Sequence, residues 1–160
     1  MNKYISSITL SIALVLTGCA TTEHKAVEIE SIVNVPNQDQ KSLFKKTRQW
    51  FSQYFVSGES VVDYEDKDSG TIIGNGIASN GTDSLGLISY KFKYNIRIDT
   101  KDNKFRALTK IIEHTSTDSN GTYVSRYIAP ERQVSAEAQV EKIVKSIENY
   151  VTDKKLDNQW

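Results

Sequence analysis

The stretch that decides the fold is Tyr90–Ile112, YKFKYNIRIDTKDNKFRALTKII. Tyr90, Phe92, Tyr94, Ile96 and Ile98 alternate with Lys91, Lys93, Asn95, Arg97 and Asp99. A period of two over ten residues is the pattern of a strand with one face in a core and the other in water. Asp102-Asn103 turns the chain, and Phe105 to Thr115 runs back. An even-length loop keeps the parity, so Phe105, Ala107, Thr109 and Ile111 are expected beside the apolar row. Arg106, Leu108, Lys110, Ile112 and His114 then face outward.

Upstream, Val27, Ile29, Val33 and Val35 alternate with Glu28, Glu30, Ile32 and Asn34, which predicts a first strand ended by Pro36. Asn37 followed by Gln40 has the spacing of a capping box. Leu43, Phe44, Thr47, Trp50, Phe51, Tyr54 and Phe55 then share one helical face, with Lys41, Lys45, Lys46, Arg48 and Gln49 largely elsewhere. Gly58 is expected to close this helix. Short strands at about Ser60–Glu65 and Thr71–Ala78 flank an Asp68-Ser69-Gly70 turn. Downstream, Asn120-Gly121 opens a short extended piece, Tyr123–Ile128. Ser135 is placed to cap a last helix, in which Val140, Ile143, Val144, Ile147, Tyr150 and Val151 share a face and Glu141 and Lys145 pair on the wet side.

Two amphipathic helices and one alternating sheet bury their apolar faces together if both helices lie on the same side of a curved antiparallel sheet. The expected fold is therefore α+β, a two-layer sandwich in the order β-α-β-β-β-β-α. The segments KSLFKKTRQWFSQYF, VVDYEDKDSGTIIGNG and YKFKYNIRIDTKDNKFRALTKII resemble a bacterial lipoprotein family described as a domain of unknown function with a TBP-like fold. The resemblance runs over about Val27–Tyr150 and includes Trp50, Gly70, Gly74 and Gly76. It implies the same architecture and brings no catalytic residue with it.

The amino terminus reads as an address. Lys3 precedes an apolar run from Ile5 to Leu16 that is about twelve residues long, against the roughly 20 that a membrane-spanning helix needs. Leu16-Thr17-Gly18-Cys19 resembles the lipobox of bacterial lipoproteins, and Cys19 is the sole cysteine. A lone thiol in an oxidising compartment has no partner, whereas a thiolate is the best side-chain nucleophile for a thioether. The competing reading is an ordinary secretory signal cut after Ala20. The lipobox reading divides the chain into a signal peptide (1–18), a lipidated cysteine with a polar tether (19–26), the TBP-like domain (27–152) and a polar tail (153–160). Bacterial lipoproteins of this kind carry several acyl chains, and two or more anchor a protein stably. Ala20 stands where an aspartate would favour inner-membrane retention, so the expected location is the outer membrane, facing the periplasm. A tether of seven residues spans at most about 23 Å, which keeps the domain close to the bilayer.

No sequence feature assigns a molecular activity. Lysine plus arginine number 20 and aspartate plus glutamate 20, so no excess of positive charge points to nucleic acid. Asp63, Glu65, Asp66 and Asp68 do not have the spacing of an EF-hand loop and read as a solvated hairpin tip. GNGIASNG breaks the G-x-G-x-x-G form at Ser79 and lies between strands, where glycines mark a bulge or a close approach. His24 falls on the tether, which leaves His114 as the single histidine of the fold. No catalytic constellation, metal site or cofactor site is expected.

The outward side of the long hairpin is the candidate partner-binding surface: Lys91, Lys93, Arg97, Arg106, Leu108, Lys110 and Ile112. Basic stems and apolar residues on one open face suit lipid headgroups, cell-wall material or an acidic envelope protein. The TATA-binding protein uses the equivalent face on DNA; export and near-zero charge oppose that use here. The reading is a non-enzymatic binding or scaffolding module of the cell envelope, of unset oligomeric state. Its rival is a hydrolase or isomerase of envelope material acting through a carboxylate site.

Overall fold

A computed structural model describes residues 26–55 and 61–153. Cys19, Gly58 and the tail after residue 153 lie outside the described residues. The elements run β1 (Glu28–Asn34), α1 (Gln40–Tyr54), β2 (Val61–Asp66), β3 (Thr71–Thr82), β4 (Ser89–Lys101), β5 (Lys104–Asp118), β6 (Gly121–Ser125) and α2 (Pro130–Thr152). The strands form one antiparallel sheet in the order β1-β5-β4-β3-β2, and β6 pairs with the far end of β5. Both helices cover one face, giving a two-layer α+β sandwich. The sheet has one strand more than the expected order, because the extended piece after Asn120-Gly121 pairs with His114–Asp118.

The core is built as the alternation requires. Phe92, Tyr94, Ile96 and Ile98 of β4 and Phe105, Ala107 and Ile111 of β5 are buried beneath Leu43, Phe44, Trp50 and Phe51 of α1 and Val140, Val144, Ile147 and Val151 of α2. Trp50 Nε1 donates to Ser146 Oγ at 3.1 Å and ties the helices together. Lys46, expected on the wet side, is buried instead. Its Nζ donates to the carbonyl of Val151 at 3.2 Å, where a cation complements the negative end of α2.

The helix starts differ from those expected. Asp39, not Asn37, caps α1, accepting from the Ser42 amide at 2.9 Å. Asn37 takes a left-handed φ of 64° and donates its amide to Asn103 Oδ1 at 2.8 Å. Asp102 accepts from the Gln40 amide, and the Asn103 amide bonds the carbonyl of Gln38, both at 2.8 Å. The corner after β1 is thus stitched to the β4–β5 turn, and that long-range pairing overrides the local capping preference. Helix α2 begins at Pro130, upstream of Ser135, because proline's fixed φ and missing N–H suit a first helical turn. Lys145 pairs with Glu148 at 2.8 Å in place of Glu141; both carboxylates lie within about one turn, and an exposed pair contributes little either way.

One local irregularity redirects a functional group. Lys93 lies opposite Glu113 while Tyr94 lies opposite Ile111, so Ile112 is the extra residue of a β-bulge. Beyond it the parity of β5 reverses. His114, expected outward, faces the helix layer opposite Phe92, with ring centroids 6.1 Å apart. Burial disfavours the imidazolium and lowers the His114 pKa below its ordinary value. Between the folded value and about 6.5 the unfolded chain therefore binds more protons, so stability rises with pH there. The contribution of the neutral ring is complete above about pH 6.5 and is lost as pH falls through the folded pKa. Urea unfolding should show a smaller pH 5 to pH 7 gain in His114→Gln than in the wild type. Equal gains would mean that the imidazole is not responsible.

Candidate functional site

The helix-free face of the sheet is read from the register in rows. One row runs Tyr64, Ile73, Arg97, Leu108, Glu30; the next runs Asn75, Asn95, Lys110, Glu28. A third places Ile77 opposite Lys93, with Ile112 and Glu113 of the bulge beyond. Ser79, Lys91, Thr115 and Val124 form a fourth. The seven candidate residues Lys91, Lys93, Arg97, Arg106, Leu108, Lys110 and Ile112 share this face, since β4 and β5 alternate in step up to the bulge.

Their electrostatics divide them. Asp99 binds two guanidinium groups, with Arg97 Nε at 2.8 Å and Arg106 Nη2 at 2.6 Å, and accepts from Thr71 Oγ1 at 2.9 Å. Desolvation pushes its carboxyl upward, but the hydrogen bonds from Arg106, Arg97 and Thr71 outweigh this and hold it below the usual carboxylate range. Arg106 also reaches Glu30 at 3.5 Å, and Lys110 pairs with Glu28 of β1 at 3.2 Å. These three cations are committed to carboxylates of the same face. Lys91 and Lys93 have no ion pair among the described residues. Next to them the face exposes Ile77 and Ile112, each 37 % accessible, and towards β2 Tyr64 at 51 %. Ile32 of β1 is 65 % exposed on the same side, by a groove of about 380 Å³ that runs along Arg97, Asp99 and Arg106.

Tyr64, Ile77 and Ile32 are the residues of this face that sequence reasoning did not single out. In β3 the adjacent Ile72 and Ile73 point to opposite sides, which blurs the alternation, and Tyr64 follows a bulge in β2. The acidic hairpin is largely occupied with itself and with α1. Asp63 accepts from Asn75, Glu65 pairs with Arg48 of α1, and Asp66 accepts from the Asp68 amide at 2.9 Å. Among the described residues no three of His, Cys, Asp or Glu are grouped as metal ligands.

Comparison with known proteins places this geometry. The family model "domain of unknown function (DUF4468) with TBP-like fold" matches residues 30–114, just over half of the chain. A crystal structure of a TBP-like protein from Parabacteroides distasonis is similar, with a TM-score of 0.63 at 16% identity, covering 84% of this chain and 98% of that one. A DUF4468 family protein from Bacteroides ovatus matches with a TM-score of 0.50 at 17% identity, over 63% of this chain. The match spans 61% of the length of that Bacteroides protein. No curated protein matches the chain.

Proposed function

The chain belongs to the DUF4468 family of TBP-like domains, and we propose that it is a non-enzymatic binding module of the bacterial envelope. In this reading a lipidated Cys19 holds it at the outer membrane, and the helix-free sheet face meets an acidic partner, an envelope protein or cell-wall material, and not nucleic acid. The observation that carries it is the composition of that face around Lys93. This lysine has no ion pair among the described residues and stands between Ile77 on β3 and, on β5, Glu113 with the bulged Ile112 beside it. An open face that clusters apolar side chains with cations not engaged in ion pairs among the described residues suits a partner that supplies apolar area and negative charge together.

Lys91→Gln with Lys93→Gln removes the charge there without touching the Asp99 network or setting a carboxylate opposite Glu113, so folding should be unaffected. Crosslinking in cells, read by mass spectrometry, should lose the partner captured by the wild type. The same partner captured equally by the double variant would rule out the face. Cys19→Ser should move the protein from the membrane fraction to the soluble one, and unchanged sedimentation at unchanged mature mass would rule out the anchor.

A further inference from the structure

Beyond the Ile112 bulge, the helix-covered side of the sheet carries the cross-strand row Tyr90, Ser116, Tyr123 next to His114. With Asn80 of β3 and Arg132 from the first turn of α2, these residues line a cavity of about 250 Å³ on the opposite side of the sheet from the lysine face. Two buried polar atoms of the lining, His114 Nε2 and Asn80 Oδ1, have no hydrogen-bond partner among the described residues. Asn80 is 1 % exposed, and its Nδ2 donates to the carbonyl of Arg132 at 3.0 Å. That bond fixes the amide and leaves Oδ1 as an acceptor in need of a donor. Native structures rarely leave two such atoms beside one cavity without something to occupy them. The guanidinium of Arg132 lies over the Tyr90 ring, 3.5 Å from its centroid, and no carboxylate is among the described residues that line the cavity. The site is therefore cationic, aromatic and short of both a donor and an acceptor.

We propose that this cavity binds a single-ring hydroxy-acid of the uronic-acid type. The carboxylate accepts from Arg132 and from the Nε2–H of a neutral His114, a ring hydroxyl donates to Asn80 Oδ1, and the ring lies against Tyr123, which is largely exposed at the cavity. The volume selects among acidic ligands. Drug-sized ligands fill about 300–1,000 Å³, so this cavity seats one ring, and any further unit would lie outside it on the open side at Tyr123. Charge selects the carboxylate over a neutral sugar, and the Asn80 acceptor selects a hydroxyl over a purely apolar acid.

The test is a titration of the full-length chain with sodium D-glucuronate, followed by NMR at the His114 ring and the Asn80 side-chain amide. D-glucose and cyclohexanecarboxylate serve as probes that lack the carboxylate and the hydroxyls. Glucuronate should shift both resonances saturably; glucose should bind at least about tenfold more weakly for loss of the charge-assisted hydrogen bonds, and cyclohexanecarboxylate about tenfold more weakly because it leaves buried Asn80 Oδ1 without a donor. Arg132→Gln and His114→Gln should each weaken glucuronate by a similar factor, and Tyr123→Ala, at the open side, should weaken it without altering the melting temperature. Unmoved His114 and Asn80 resonances, equal binding of glucose, or full affinity in both Arg132→Gln and His114→Gln would overturn the assignment.

Discussion

Replacing Trp50 with alanine should destabilise the domain by about 4 kcal/mol, within the range for deleting a buried aromatic side chain. Trp50 is 1 % exposed and central to the layer between the helices and the sheet. Its ring meets Phe51 edge-on at 5.1 Å, stacks on Tyr54 at 4.9 Å and meets Phe55 at 5.8 Å. Its Nε1 is also the donor that reaches α2 through Ser146. Truncation removes the transfer energy of an indole, opens a cavity that two packed helices cannot close, and breaks the bond between them. Trp50→Phe keeps most of the volume and loses the hydrogen bond and some packing, so a cost of about 1–2 kcal/mol is expected. Urea unfolding of both variants checks this. A loss below about 1 kcal/mol in Trp50→Ala would show that α1 does not organise the core.

Gly70→Ala should cost about 3 kcal/mol, and Gly81→Ala only about 1, although both glycines have left-handed backbones. Their φ angles are +73° and +83°. The difference lies in what a methyl group would meet. At Gly81 nothing lies within 4 Å, so alanine there bears the conformational cost alone. At Gly70 a Cβ would lie 2.6 Å from Thr100 Oγ1 and 2.7 Å from the Thr100 carbonyl oxygen. The same glycine carbonyl accepts from the Thr100 amide at 2.8 Å and from its hydroxyl at 2.9 Å. Relief of the clash would pull the β2–β3 turn off the end of β4 and break both bonds. Chemical denaturation of the two variants side by side measures the contrast; equal losses would show that the turn is not locked to Thr100.

Much of the fold was legible because it rests on short-range periodicity. Tyr90–Asp99 has a strict period of two, and Leu43–Phe55 has a helical one. The two helices and the long hairpin therefore came with most of their buried faces specified, the first helix departing at Tyr54, which is exposed, and at Lys46, which is buried. The face that carries Lys91, Lys93, Arg97, Arg106 and Lys110 was visible for the same reason. What was not visible is which of those cations are neutralised. Glu28 and Glu30 meet Lys110 and Arg106 through the pairing of β1 with β5, and no local pattern records a contact between residues so distant in the chain. Ile77 escaped notice because β3 is apolar on both sides at Ile72 and Ile73.

Strand period and helix faces are written residue by residue, since each follows from a repeat that a few neighbours complete. The tertiary structure decided the rest. The bulge at Ile112 turned His114 inward, Asn103 drew Asn37 out of its capping role, and the end of α2 drew Lys46 into the core. For Asn37 and Lys46 a hydrogen-bond partner distant in sequence settles a local preference of about 1 kcal/mol or less, whereas at His114 the register of the bulge turns the ring inward and leaves Nε2 without a partner among the described residues.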